Sequence, residues 1–375
     1  MPLSWSQWGQ SVIANVAGTQ EPEYGPEAFH SVAKQEGPFR ETVKEDFKWE
    51  ALESTCVETQ TFYLLADNGH VAICQVIYSN VMGINTTCQF SSKLFFPKES
   101  SPPLWSTEPV TNHSFDDDHY CFKADKCSLD LSEDGTTIHV KSSTSTQVVI
   151  DVKLTRLSPG FVVGKDGRST YGTELDKPWG SMRHAFWPRC SAEGSFITQA
   201  HGVIDFKGKG LMIHALQGMK PHHAAARWNF ITCVTPTYSA VMMEFTTPPS
   251  YGPTVVTVGG IATDGKILMA GANNTVTHLK TKEDGETAWP EPTEVKYEWR
   301  GDKISAVMEG ELGKRLDRID VLAHVPTFIK NLAGGVAGTY PYIYQFSPNL
   351  PLKITIDGEE KTEEGMVFAE STFIV

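Results

Sequence analysis

Two stretches of the chain concentrate side chains able to do chemistry. HALQGMKPHHAAARWNF, residues 214–230, holds His214, His222 and His223 with Lys220, Arg227 and Trp228, and no acidic residue. LDKPWGSMRHAFWPRC, residues 175–190, sets Trp179, Phe186 and Trp187 among Arg183, His184 and Arg189. A metal needs converging ligands, and adjacent residues of a strand point to opposite faces, so His222 and His223 would rarely share one ion. Only His214 and one of that pair could converge, and no H-E-x-x-H or Cys/His zinc spacing accompanies them. No metal is expected. Pro221 points instead to a turn or a crossover between two β domains.

Catalysis would cast His184 as a general base. Asp176, Ser181 and Cys190 lie near it in sequence but form no nucleophile or triad motif. The chain has no P-loop, no G-x-S-x-G and no Rossmann fingerprint after a strand. No catalytic residue and no cofactor is expected. A binding site would use aromatic walls with one or two polar anchors. A purely structural arrangement would stack Trp, Arg and His between two domains. Trp179, His184, Trp187, Arg189, His222, His223 and Trp228 are therefore candidates for ligand contact or for an interdomain seam.

The elements that position them read as β. From Ala51 onward come short runs such as CVETQTFYLLA, VAICQVIYSN, HYCFKADKCSLDLS, GSFITQAHGVIDF, GLMIHALQ, RWNFITCVT and IDVLAHV, each taken as a strand. DG pairs at 134–135, 166–167, 264–265 and 357–358 fit hairpin loops. VPTFIKNLAGGVAGT reads as a short helix, and GGIAT is a weak glycine signal. Roughly sixteen strands in meander order imply antiparallel sheets, and barrel closure protects their edges. A chain of 375 residues suits two barrels of about eight strands each, a size that can hold one small apolar ligand.

The fold expected is all-β: two tandem antiparallel barrels over 51–218 and 219–375, after a helix at 1–20 and a linker and lead-in at 21–50. In the helix, Leu3, Trp5, Trp8, Val12, Ile13 and Val16 share an apolar face, and no charge precedes Glu21. Such a face could pack on the body or lie in a membrane interface, where two tryptophans prefer the headgroup layer. EPEYGPEAF then reads as a linker that leaves the helix free of the body.

A net charge of -13 without a dense Lys/Arg run excludes nucleic acid as main partner and argues against simple attraction to anionic lipid. Seven cysteines without C-x-x-C read as buried core thiols of a cytosolic protein. The start of the chain has neither the basic nor the long apolar region of a signal peptide, and no stretch is long enough to span a bilayer.

EPEYG with HSV, PFRET with FKWE, VETQTFYLLAD, YGTELDKPWGSMRHAFWPR, ALQGMKPHHAAARWNF, VMMEFTTPPSY, GTYPYIYQFS and STFIV follow in an order that resembles the fungal survival-factor family. The resemblance implies tandem lipocalin-like barrels and a soluble, non-enzymatic carrier of ceramide or a related sphingolipid. It implies movement of that lipid from endoplasmic reticulum to Golgi, and survival under oxidative and cold stress. Attachment to those membranes would run through residues 3–17, and the implied localisation is cytoplasmic, peripherally on both membranes, and nuclear. Nothing in the sequence reveals a homodimer, so a monomer is expected. The rival function is an enzyme acting on an apolar substrate, because related tandem β folds host hydration and cyclisation.

Overall fold

The computed structural model describes residues 23–81, 83–97, 100–324 and 340–375. The helix expected at 1–20, with Leu3, Trp5, Trp8, Val12, Ile13 and Val16, lies outside the described residues, as does the helix read at 325–339.

The lead-in supplies β1 (Phe29–His30) and β2 (Phe39–Glu41). Then come β3 (Cys56–Ala66), β4 (Val71–Val81), β5 (Asn85–Phe95), β6 (Leu104–Pro109), β7 (Ser114–Phe115), β8 (Phe122–Ala124) and β9 (Cys127–Leu131). β10 (Thr137–Ser142), β11 (Val148–Arg156), β12 (Phe161–Val163), β13 (Arg168–Tyr171), β14 (Gly180–Thr198) and β15 (Gly202–Gln217) complete the first sheet. The second holds β16 (Arg227–Val234), β17 (Ser239–Thr246), β18 (Val255–Thr263), β19 (Lys266–Gly271), β20 (Asn274–Glu283) and β21 (Pro290–Arg300). It continues with β22 (Ile304–Glu311), β23 (Asp317–Asp320), β24 (Tyr342–Phe346), β25 (Asn349–Ile356) and β26 (Glu359–Phe373).

The two sheets share one plan. The first runs β6-β5-β4-β3-β15-β14-β11-β10-β9-β8-β7 and the second β19-β18-β17-β16-β26-β25-β22-β21-β20. In each, the first long strand pairs antiparallel with the last, β3 with β15 and β16 with β26. In each, the two edge strands are consecutive in the chain. Residues 110–113 join β6 to β7, and residues 272–273 join β19 to β20. A short covalent link therefore brings the two edges of each curled sheet together, the arrangement that guards a large antiparallel sheet against edge pairing.

Strand periodicity sorts the side chains. Even-numbered β3 residues from Cys56 to Ala66 face the first barrel's core, with Phe90, Phe122, Trp187 and Met212. Tyr63, one position out of phase, faces a second cluster with Phe161, Phe186, Phe230, Phe245 and Phe368, which lies between the sheets. Tyr297, Trp299, Met242 and Phe346 fill the second barrel. Full burial of such side chains contributes about 1.5–3 kcal/mol each, so the interdomain cluster binds the two barrels as a core would.

Several readings need correction. HYCFKADKCSLDLS is two strands, β8 and β9, turning at Asp125–Lys126. GSFITQAHGVIDF is the tip of the β14–β15 hairpin, and PWGSMRHAFWPRC is the first part of β14. IDVLAHV ends β23 and then turns into the one-turn helix Val321–His324. From Glu23 on, the EPEYGPEAF segment does not run free: Gly25 N donates to Ser250 O and Phe29 pairs with Tyr171.

Candidate functional site

Strand β14 carries most of the candidate residues, and its pleat divides them. Arg183, Ala185 and Trp187 point into the first barrel, while Met182, His184 and Phe186 point to the seam. Pro188 has no N–H for the ladder, and the β14–β15 register slips between Trp187 and Cys190. The extra residue of this bulge turns Arg189 out of the barrel toward the second domain.

There Arg189, 1 % exposed, is held through all three guanidinium nitrogens. It donates to Asp264 Oδ1 at 2.6 Å, Ser239 Oγ at 3.1 Å, Pro236 O at 2.8 Å and Thr235 O at 3.4 Å. It is a strut between barrels, with four of its five N–H donors engaged by the second domain. His184 packs edge-on to Trp228 at 5.9 Å, and Trp228 packs on Phe245 at 5.2 Å. Burial, aided by the Arg183 charge, pushes His184 down to about 4, so it is neutral at physiological pH. The His222–His223 pair sits on the one-turn helix Pro221–Ala224 in the crossover between sheets. His223 meets Trp179 edge-on at 5.8 Å. His214 belongs elsewhere, in the interior of the first barrel.

One end of that barrel is plugged by residues 42–51. Asp46 accepts from Arg40 twice, at 2.7 Å each, and from Arg183 at 2.7 Å. Burial opposes its charge, but the Arg40 and Val43 hydrogen bonds and the two arginines prevail and hold the carboxyl below the usual range. Glu58, fully buried, accepts the Glu50 and Ala51 amides at 2.8 and 2.7 Å and meets His214 Nε2 at 2.7 Å. His214 Nδ1 faces the Asp46 carbonyl at 3.1 Å and therefore carries its hydrogen. Phe47 packs on Trp187 at 5.1 Å and on His214 at 6.5 Å, and Trp49 on His214 at 5.7 Å. Gln60 Nε2 donates to Phe47 O at 3.0 Å.

Against this satisfied frame, four buried polar atoms lack a partner among the described residues. They are Trp49 Nε1, Trp187 Nε1, Gln60 Oε1 and Thr42 Oγ1. Aromatic contacts join Trp49 to Trp187 through His214 and Phe47, the hydrogen bond to Phe47 O adds Gln60, and Thr42 and Trp187 both border Gly160. A buried donor or acceptor left unmade costs about 1–3 kcal/mol, and most native ones are paired. Two indole donors, one amide acceptor and one hydroxyl form a set that complements a ligand bearing an acceptor and N–H or O–H donors. Elsewhere the same condition holds for Trp179 Nε1 and Tyr251 Oη at the seam, and for Thr232 Oγ1 and Asn274 Oδ1 in the second sheet.

Comparison with known proteins agrees with this architecture. The Svf1 family model matches residues 6–375. The ceramide-binding protein svf-1 of Neurospora crassa is 53% identical over 98% of this chain and 99% of its own. The ceramide-binding protein svf1 of Aspergillus fumigatus is 51% identical over 98% and 99%. The chain belongs to the Svf1 family. A crystal structure of kievitone hydratase from Nectria haematococca superposes with TM-score 0.55 at 13% identity, over 95% of this chain and 98% of that one, a likeness of fold alone.

In this Svf1-family chain the two recognisable blocks become neighbouring structure: PWGSMRHAFWPR is the head of β14, and LQGMKPHHAA is the end of β15 with the crossover. Sequence reasoning missed Thr42, Phe47, Trp49, Glu58 and Gln60. FKWE and VETQTF carry no motif, and the only available signal was polar residues at the inward phase of an apolar strand. The two best-formed surface concavities, about 480 and 370 Å³, lie on the outer face of β21, β22 and β25 near Lys296, Lys353 and Gly358, away from every candidate.

Proposed function

We propose that the protein is a non-enzymatic, monomeric ceramide carrier whose first barrel receives the polar part of the lipid. The observation that carries this reading is the group of unpartnered atoms at Thr42, Trp49, Gln60 and Trp187, set in an aromatic interior in a chain whose relatives bear the name ceramide-binding protein. A ceramide carbonyl or hydroxyl would accept from the indoles, and its amide N–H or a hydroxyl would donate to Gln60 Oε1. Each methylene moved from water contributes about 0.8 kcal/mol, so the chains supply affinity while the polar set supplies selection. Binding displaces side chains that fill the barrel, as an apolar ligand does in an adaptable core.

The N-terminal residues Leu3, Trp5, Trp8, Val12, Ile13 and Val16 fit reversible attachment to endoplasmic reticulum and Golgi membranes, because a Ser/Gln face without Lys or Arg before Glu21 inserts by apolar burial. Carriage between those membranes, in support of survival under oxidative and cold stress, follows from the same reading. The test is transfer of a labelled ceramide between donor and acceptor vesicles by the purified full chain. Transfer above the lipid-only background is expected, and transfer at background would sink the carrier reading.

One observation favours an enzyme. In the second barrel Asn229 bridges Glu244 at 3.0 Å and His278 at 2.9 Å. Burial raises the Glu244 carboxyl, and burial with the Arg227 charge pushes His278 down to about 4. A carboxyl raised by burial and a neutral imidazole joined through one amide can do proton transfer. Turnover of any lipid by the purified protein, abolished in Glu244→Gln, would favour this second reading over the carrier.

A further inference from the structure

The seam ends in an aromatic nest that the barrel site does not use. Tyr171, Trp179 and Tyr251 form a mutual triangle, with ring centroids 5.7, 5.4 and 6.3 Å apart. His223 lies edge-on to Trp179, and Tyr24 packs on Tyr251 at 5.7 Å. Five segments meet here: the lead-in at Tyr24, the end of β13 at Tyr171, the loop before β14, the crossover, and the turn Pro249–Tyr251. Both sheets contribute.

Two hydrogen-bonding atoms of the nest are buried without a partner among the described residues, Trp179 Nε1 and Tyr251 Oη. Tyr251 is 0 % exposed, whereas the Tyr171 hydroxyl donates to Ala224 O at 2.6 Å. Tyrosine and tryptophan usually find a polar partner when buried, so a pair of neighbouring exceptions points to a ligand that brings an acceptor. The rim carries Glu23, held by the Thr173 amide, with Glu174, Asp176 and Lys177 exposed in the loop and Lys220 at the crossover. Neutral donors inside and a rim with no excess of positive charge favour an uncharged polar head over a phosphate.

The place of the nest matters as well. The apolar N-terminal residues end at Ala17, and from Ala17 to Glu23 an extended chain spans at most about 20 Å. A membrane held by those residues would lie close to the nest. Gly180, which opens β14, is the direct neighbour of Trp179, and Arg183 at the barrel plug is three residues farther along the strand.

We infer that the Trp179–Tyr251 nest is the receiving site for a neutral sphingolipid head leaving the membrane, distinct from the interior site at Gln60 and Trp187. This rests on the carrier reading. The head is held first by the Trp179 indole N–H and the Tyr251 hydroxyl, then moves to the barrel interior past the plug. The nest therefore governs extraction rate, and the interior governs affinity.

The test compares the full chain with Trp179→Phe/Tyr251→Phe, which keeps both rings and deletes both donors. Extraction of fluorescent ceramide from phosphatidylcholine vesicles is followed beside titration with a short-chain ceramide free of membranes. Extraction is expected to slow at least fivefold while membrane-free affinity stays within twofold. Unchanged extraction overturns the inference, and so does an equal loss in both measurements, because the nest would then be the storage site itself. Ceramide 1-phosphate extracted by the wild type as fast as ceramide overturns the neutral-head assignment. A wild type that neither binds nor extracts ceramide sinks the carrier reading rather than this step alone. If the double variant does not fold, Tyr251→Phe alone carries the same comparison.

Discussion

At the scale of residues, the interior site and the seam make opposite demands. Thr42 Oγ1 is buried and unpartnered, so Thr42→Val, which keeps the shape, removes a desolvation cost of about 1–3 kcal/mol. The ligand-free protein should gain roughly 1 kcal/mol in urea denaturation, while ceramide binding weakens about 2–10-fold, the worth of one net hydrogen bond. A variant that is less stable and binds equally well would remove Thr42 from the site. His184 makes a different prediction. Its folded pKa lies near 4 and its unfolded value near 6.5, so the unfolded chain binds more protons between those limits. The stability held by neutral His184 is complete above about pH 6.5 and is lost as pH falls toward 4, up to about 3 kcal/mol. His184→Leu should flatten that loss between pH 7.5 and 4.5, leaving the part due to His278. Equal acid losses in variant and wild type would show that His184 is already protonated in the fold. Histidines and tryptophans announced the neighbourhood in the sequence. Their roles were illegible because partners such as Phe245 and Asp264 are distant in the chain.

Among elements, what periodicity controls was legible. Three of the four DG pairs close hairpins, β9–β10, β18–β19 and β25–β26, with Gly135, Gly265 and Gly358 at positive φ, whereas Gly167, also at positive φ, joins β12 to β13, which pair with β14 and not with each other. The β14 bulge was not legible, since Pro188 inside an apolar run reads equally as a strand end. Nor was the plug at 42–51, whose short turns have no period. The GG of GGIAT gains a physical cause only in three dimensions. A Cβ at Gly260 would stand 2.9 Å from the Phe161 ring and 3.0 Å from Ala270 Cβ, so glycine lets the first domain's aromatic lie on the second domain's strand. Gly260→Ala should therefore cost about 1–3 kcal/mol by overpacking. Adding Phe161→Leu should couple with it, the pair losing less than the sum of the singles in a denaturation cycle. Strict additivity would mean that the two sheets do not bear on each other at this point.

For the whole molecule, the seam makes two barrels behave as one. Lys93, 4 % exposed, reaches from the first domain to Asp317 and to Gln345 Oε1 at 2.9 Å. Gln345 donates to Glu370 Oε1 at 2.6 Å, and the Tyr63 hydroxyl donates to Glu370 Oε2 at 3.3 Å. Burial lowers the Lys93 ammonium, opposed first by Asp317 and then by the Glu370 charge, and burial raises the Glu370 carboxyl, opposed by the Gln345 hydrogen bond and the Lys93 charge. No sequence pattern revealed this network. Lys93 and Tyr63 lie where β5 and β3, after an alternating first half, become buried on both faces, and there the alternation that would flag an outward polar residue is lost. Removing one member of a buried charge network leaves the others uncompensated, at about 3–5 kcal/mol. Lys93→Met should lose that amount in denaturant unfolding, and the single transition expected of the wild type should split as the domains uncouple. Glu370→Gln in the same chain should restore most of the loss, because the carboxyl that burial raises is then a neutral amide and the remaining Asp317 is part-exposed to water. A single variant within about 1 kcal/mol of wild type, or a double variant no better than the single, would show that the aromatic cluster alone joins the barrels. In that case the ion network would serve to set their angle rather than their stability.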